Sequence, residues 1–340
     1  MVRTNNDNPT IPDETTTPAE TTAQVSARTD FPGGSLRSRA VAILLRILIK
    51  PAIRLWVRFP AVRWPYALVD WAGRPLTSAP GMVRTAVSLP NCAAISTRPA
   101  HVEPQRFVLY LHGGGFLVGG THLHRQMTSR FAADLDAEVL AVTYRKLPRH
   151  SIATSIADSL DGYRYALSQG IPPEKITLMG DSAGGYLVVM TAIEIRERGL
   201  PMPAAIVAMS PLTNWDMADK LAAPTAQSCA VFPSTSMPAF RMRAALTDPA
   251  VPLLSPVDCD LSGLPPILIQ VGSAETFYPD AVLLAERLAA HGASHELQVW
   301  HDQVHVFQAA AAITPEAEAA VEEIRRFVAR AVGSDETLIA

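Results

Sequence analysis

The chain has 340 residues, 48% of them hydrophobic and 18% charged, with a net charge of −3 and an isoelectric point near 6.3. This composition excludes a collagen, a coiled coil and wholesale disorder, and the near-neutral balance excludes a partner such as nucleic acid held by bulk charge. Cys92, Cys229 and Cys259 are an odd, widely spaced set without metal-ligand spacing, as expected of reduced structural thiols in a reducing compartment.

Residues 1–34 read as a disordered polar tail. Thr, Asn, Pro and Glu occupy the place where a signal peptide would carry its apolar stretch, so a cytoplasmic protein is expected. Residues 35–80 read as basic, amphipathic cap helices. No acidic residue lies between Asp30 and Asp70, whereas Arg37, Arg39, Arg46, Lys50, Arg54, Arg58 and Arg63 all do. The four-residue spacing of Arg46, Lys50, Arg54 and Arg58 predicts a cationic stripe on a helix, beside Ile43, Leu44, Ile47, Leu48, Leu55 and Trp56. Pro51 is expected to break or kink that helix after Ile47. The apolar runs are too short to span a bilayer, which needs about 20 residues. Peripheral contact of residues 35–65 with a membrane, or packing on the rest of the chain, is left open.

From residue 81 to 340 the pattern is that of an α/β domain. Short apolar runs at 107–111, 139–143, 176–179, 205–209, 267–271 and 296–300 predict buried, mostly parallel strands. Between and after them, segments near 123–135, 152–168, 183–198, 280–291 and 315–332 predict helices on both faces of one doubly wound sheet. The Pro-, Ala- and Met-rich interval from 212 to 263 interrupts this rhythm and predicts an inserted helical lid, placed at about 212–250.

Directly after the first of these runs stands His112-Gly113-Gly114-Gly115-Phe116. Consecutive glycines let backbone N–H groups turn into a pocket, so Gly114 and Gly115 are candidate donors of an oxyanion hole, with the N–H of Ala183 completing it. His112 is expected to brace that loop. Gly180-Asp181-Ser182-Ala183-Gly184 follows the third run and opens a helix, a context that presents Ser182 as a candidate nucleophile.

A serine hydroxyl needs a base, and the base an acid, in the order serine, acid, histidine. His305 is the leading base because it follows the last strand on the sheet edge that carries Ser182; His301 is the runner-up. For the acid, Glu275 lies three residues beyond Gly272 at a strand's carboxyl end. Asp280 is the alternative, placed where it would start the next helix.

These motifs resemble the hormone-sensitive-lipase-like family of α/β-hydrolases over about residues 80–332. Tyr144-Arg145-Lys146-Leu147-Pro148, Ser210-Pro211 and Leu261-Ser262-Gly263-Leu264-Pro265-Pro266 add to the likeness. The resemblance implies an eight-stranded α/β-hydrolase fold with a helical cap built from the N-terminal helices and the insertion. It further implies hydrolysis of uncharged, short- to medium-chain acyl esters, acetyl esters included, by Ser182, Glu275 and His305 without metal or cofactor. Many members carry Asp-Pro-Leu-Arg-Asp-Glu at the acid turn, whereas this chain has Glu275-Thr276-Phe277-Tyr278-Pro279-Asp280, which keeps Glu275 and Asp280 both open. The partner expected is a small ester. A non-catalytic small-molecule receptor on the same fold and a lipid-ester hydrolase working at a membrane surface are the competing readings.

Overall fold

A computed structural model describes residues 26–59, 62–101 and 103–333. The chain begins with β1 (Ser26–Phe31), α1 (Leu36–Arg58) and α2 (Ala67–Ala72), followed by β2 (Met82–Ser88) and β3 (Ala93–Pro99). Strands and helices then alternate through β4 (Arg106–Leu111), α3 (Arg125–Asp134), β5 (Ala137–Thr143), α4 (Ile152–Ser168), β6 (Ile176–Asp181), α5 (Ala183–Glu197) and β7 (Ala205–Met209). Three short helices, α6 (Ala218–Ala222), α7 (Thr225–Ser228) and α8 (Ser236–Thr247), precede β8 (Ile267–Gly272), α9 (Tyr278–Ala290), β9 (His295–Trp300) and α10 (Pro315–Ala331).

All nine strands join one sheet in the order β1-β9-β8-β7-β6-β4-β5-β3-β2. Pairing is parallel from β1 to β5, and only β3 and β2 run antiparallel to their neighbours. The central strands are continuous apolar runs because both of their faces are covered. In β4, Phe107, Leu109 and Leu111 join the core beneath α4, α5 and α9, while Val108 and Tyr110 face α3 and α10 on the other side. The last helix shows how sequence places an element on this sheet. Thr314 caps it through the Ala317 N–H, Pro315 and Glu316 occupy its first turn, and Ala317, Ala320, Val321, Ile324 and Val328 recur at helical spacing on the buried face. Each large apolar side chain buried there contributes about 1.5–3 kcal/mol.

Three N-terminal expectations are corrected. The polar tail expected over residues 1–34 gives way at Ser26–Phe31 to β1, one strand more than the eight expected, in parallel register with β9 from Ser26 opposite His295 to Phe31 opposite Trp300. This edge strand is largely exposed, so no apolar alternation marks it; backbone pairing and the stacking of Phe31 on Trp300, 4.1 Å between centroids, hold it. Residues 1–25 of the expected tail lie outside the described residues. Second, of the break or kink expected at Pro51 the break does not occur, since α1 continues through it to Arg58. The proline sits on the exposed side, while Leu45, Ile53, Trp56 and Val57 pack both halves onto the body, outweighing the lost backbone hydrogen bond.

Third, the four cations expected to form one basic stripe do not share one environment. Arg46 donates to the Ser228 carbonyl at 3.0 Å, and the buried Lys50 donates to the carbonyls of Cys229 at 2.6 Å and Gln227 at 3.3 Å. Burial lowers the Lys50 ammonium from its ordinary pKa. Arg54 and Arg58 remain exposed. Arg46 and Lys50 therefore tie α1 to the carboxyl end of α7.

Candidate active site

At the carboxyl end of β6 the chain turns sharply, and Ser182 adopts φ 55° and ψ −115° before α5 begins at Ala183. A non-glycine residue at positive φ is strained, and strain of this kind persists only where packing fixes it. The flanking glycines are dictated by close approach: a Cβ on Gly184 would lie 1.8 Å from the Leu111 carbonyl oxygen, and one on Gly180 would lie 2.4 Å from that of Gly184. The Ser182 N–H is fixed on the Met209 carbonyl at 2.8 Å.

The loops after β8 and β9 meet this turn at the same edge of the sheet. Ser182 Oγ lies 2.8 Å from His305 Nε2, and His305 Nδ1 pairs with Glu275 Oε2. Glu275 is fully buried; its other oxygen accepts from Ser210 Oγ at 2.7 Å and from the Gly272 N–H at 2.8 Å. Ser210 Oγ in turn accepts the Val306 N–H at 3.0 Å, so one hydroxyl bridges the acid and the histidine loop. The rings of Phe232 and Phe277 stand 4.9 and 5.1 Å from the His305 ring and keep it dry.

The alternatives point elsewhere. Asp280 is buried, but Oδ1 accepts from Lys220 Nζ at 2.6 Å and Oδ2 accepts the Thr213 and Asn214 N–H groups at 2.8 and 3.0 Å. Burial raises this carboxyl above its ordinary pKa against the pull of Lys220 and the two amides. The pair clamps the start of the cap insertion onto α9. His301 is half exposed and lies 3.1 Å from Asp30 Oδ1 at the end of β1.

The glycine loop is braced from below. His112 is buried and its Nδ1 donates to the Gly113 carbonyl at 2.7 Å, while its ring stacks on Tyr144, whose hydroxyl donates to the His112 carbonyl at 2.6 Å. Burial and the neighbouring Lys146 push the His112 imidazole far below its ordinary pKa and keep it neutral. Gly114, at φ 114°, lies so close to the Val118 carbonyl that a Cβ would stand 2.3 Å from its oxygen. Gly115 and Ala183 line the cavity beside Ser182.

Asp181, hidden between the glycine and serine of the elbow, joins the two loops: it accepts the Gly113 N–H at 2.9 Å and the Tyr110 hydroxyl at 2.6 Å, and pairs with His124 Nε2 at 3.5 Å. Burial alone would raise this carboxyl, but His124, Tyr110 and the amide outweigh it and hold it down at about 2. For His124 burial works downward, yet Asp181 raises it above the ordinary histidine value. A raised histidine contributes stability that is complete below the unfolded value of about 6.5 and is lost as pH climbs through the folded one; the depressed carboxyl contributes above about 3.9 and loses it toward pH 2. The pair is thus at full strength between about pH 4 and 6.5. His124→Gln is expected to lower the melting temperature at pH 5.5 more than at pH 9; an equal drop at both values would sink this coupling.

The cavity above Ser182 holds about 420 Å³ of empty space, its open mouth included. Phe116 and Leu147 from the body face Trp215, Met217, Met237 and Phe240 from the insertion. Trp56 of α1 packs behind Phe240, 4.7 Å between ring centroids. Sequence reasoning did not single out these cap side chains, nor Asp181 and Ser210 as positioning residues. Ser210-Pro211 following β7 was the one available signal.

Comparison with known proteins places the fold and the family. A family model described as alpha/beta hydrolase fold matches residues 108–309. The chain is 38% identical over 296 residues to Esterase LipU of Mycobacterium tuberculosis (strain ATCC 25618 / H37Rv), covering 84% of this chain and 99% of that protein. It is 36% identical over 307 residues to Carboxylesterase/phospholipase LipF of the same strain, covering 87% of this chain and 82% of that one. A crystal structure of an esterase from the bacterial hormone-sensitive lipase family superposes with a TM-score of 0.77 at 29% identity, over 88% of this chain and all of the other. By its motifs, its sheet and these relatives, the chain belongs to the α/β-hydrolase fold family, in the hormone-sensitive-lipase-like esterase branch, and is a carboxylic ester hydrolase.

Proposed function

We propose that the chain hydrolyses uncharged, short- to medium-chain acyl esters, acetyl esters included, through an acyl-enzyme on Ser182. The observation that carries this reading is the continuous line from Ser182 Oγ to His305 Nε2 and from His305 Nδ1 to the buried Glu275, opening on an apolar cavity. His305 takes the serine proton as Oγ attacks the ester carbonyl, and Glu275 holds the tautomer and balances the imidazolium. The N–H groups of Gly114, Gly115 and Ala183 receive the oxyanion. The tetrahedral intermediate collapses as the carbon–oxygen bond to the alcohol breaks and His305 returns the proton to that oxygen. Water then enters, gives its proton to His305 and attacks the acyl carbonyl, and the proton returns to Ser182 Oγ as the free acid leaves.

The cavity supports the substrate class. Besides Ser182 its lining is apolar, with no Lys, Arg, Asp or Glu among the described residues. A charged acyl group would lose hydration there with nothing to replace it. Across a series of p-nitrophenyl esters from acetate to palmitate, kcat/KM is expected to be highest at about two to eight acyl carbons, because the aromatic walls around Ser182 leave little room for a long chain. Absence of turnover on every ester would favour the receptor reading. A maximum at palmitate would contradict the short-chain assignment.

A further inference from the structure

α1 is amphipathic in an inverted sense. Its inward side carries the buried Lys50 to backbone carbonyls, with the exposed Arg46 donating at the edge of that contact, whereas its outward side is apolar: Ile43, Leu44, Ile47, Leu48 and Leu55 are 54, 56, 63, 57 and 50% exposed. A soluble helix places these the other way round. Scattered exposed apolar side chains need no explanation, but five on one face of a helix form a patch. On its inward side the helix meets α8 through the Trp56–Phe240 contact, so the apolar face is left without a partner among the described residues.

Charge decides what the patch meets. Arg37 is exposed at one end of the helix, Arg54 and Arg58 at the other, and no carboxylate occurs between Asp30 and Asp70 in a chain whose net charge is −3. A second copy of the chain would bring the same arginines against these, and residues 1–25 carry Asp7, Asp13, Glu14 and Glu20 among polar residues with few apolar ones to cover a leucine face. No described helix is long and apolar enough to cross a membrane, so the geometry is that of a helix lying in an interface.

We propose that the outward face of α1 docks on an anionic lipid surface. The leucines and isoleucines enter the acyl boundary while Arg37, Arg54 and Arg58 stay among the headgroups. Because Trp56 backs Phe240 of the cavity wall, docking seats the cap, and the cavity beneath it, against the bilayer. The proposal concerns an outer surface and does not depend on the catalytic reading.

The test is sedimentation of the full-length Ser182→Ala protein with sucrose-loaded vesicles, either neutral phosphatidylcholine or a mixture containing phosphatidylserine. Binding is expected to be at least about tenfold stronger on the anionic vesicles and to weaken as NaCl rises from 50 to 500 mM, as screening requires. The double variant Leu44→Glu, Ile47→Glu, made in the active protein, should lose at least about tenfold in vesicle affinity. It should still hydrolyse soluble p-nitrophenyl acetate at the parent rate, which shows that it is folded. Equal binding to both vesicle types, binding unchanged in the double variant, or a stable dimer by light scattering that the double variant dissociates would each overturn the proposal.

Discussion

Ser182→Ala is expected to lower kcat by roughly a thousandfold or more while leaving the melting temperature within a few degrees of the parent. The first half follows from chemistry: without Oγ no acyl-enzyme forms, and the glycine loop and cavity retain only their binding and polarising effects. The second half follows from packing. The elbow is held by the Ser182 N–H on Met209 and by the glycine contacts around it, none of which uses the hydroxyl. Alanine still carries the strain of positive φ, so a small shift in stability of either sign is compatible with the account. Full activity in the pure variant would remove Ser182 from the mechanism.

Glu275→Gln is expected to cost about a thousandfold in kcat, and Asp280→Asn far less in kcat but more in stability. The two carboxylates lie five residues apart, Glu275 in the loop after β8 and Asp280 in the first turn of α9, and are both buried, yet they do different work. Glu275 faces His305 and is fixed by Ser210 and the Gly272 N–H, so an amide there loses the charge that balances the imidazolium and can impose the wrong tautomer. Asp280 faces Lys220 and the amides of Thr213 and Asn214, so neutralising it leaves a buried ammonium without its counter-charge, a change that costs about 3–5 kcal/mol when one partner of such a pair is removed. Activity assays paired with thermal melts on both variants separate the roles. If Asp280→Asn were the inactive one and Glu275→Gln the unstable one, the assignment would be reversed.

The interior of the fold was legible because burial on both faces leaves apolar runs that only a covered strand can afford, and the helices from 152 to 168 and from 315 onward announce themselves by spacing and caps. The elbow and the glycine loop were legible for a different reason: their geometry admits few residues, so geometry is written directly into sequence. What escaped was whatever depends on a partner distant in the chain. β1 has no periodicity of its own and exists through β9. The direction of Lys50 is set by carbonyls about 180 residues away, and no spacing rule foretells that a helix will turn a lysine inward and its leucines out. Asp181 occupies the variable position of a motif, where its bond to Gly113 became visible only once β4 and β6 lay side by side. The cap side chains are one apolar residue among many in the sequence, and only the packed insertion selects Trp215, Met237 and Phe240 for the cavity.

The central claim is that a covalent acyl-enzyme forms on Ser182, activated by His305. It is tested most directly by treating the protein with a p-nitrophenyl alkylphosphonate, a mimic of the tetrahedral intermediate, and locating the adduct by peptide mass spectrometry. The account predicts one phosphonyl group per chain, on the peptide carrying Ser182, with release of p-nitrophenol matching the loss of esterase activity. It also predicts labelling slowed at least about a hundredfold in His305→Ala, since the hydroxyl then lacks its base. An adduct on another residue, or complete loss of activity with Ser182 unmodified, would contradict it.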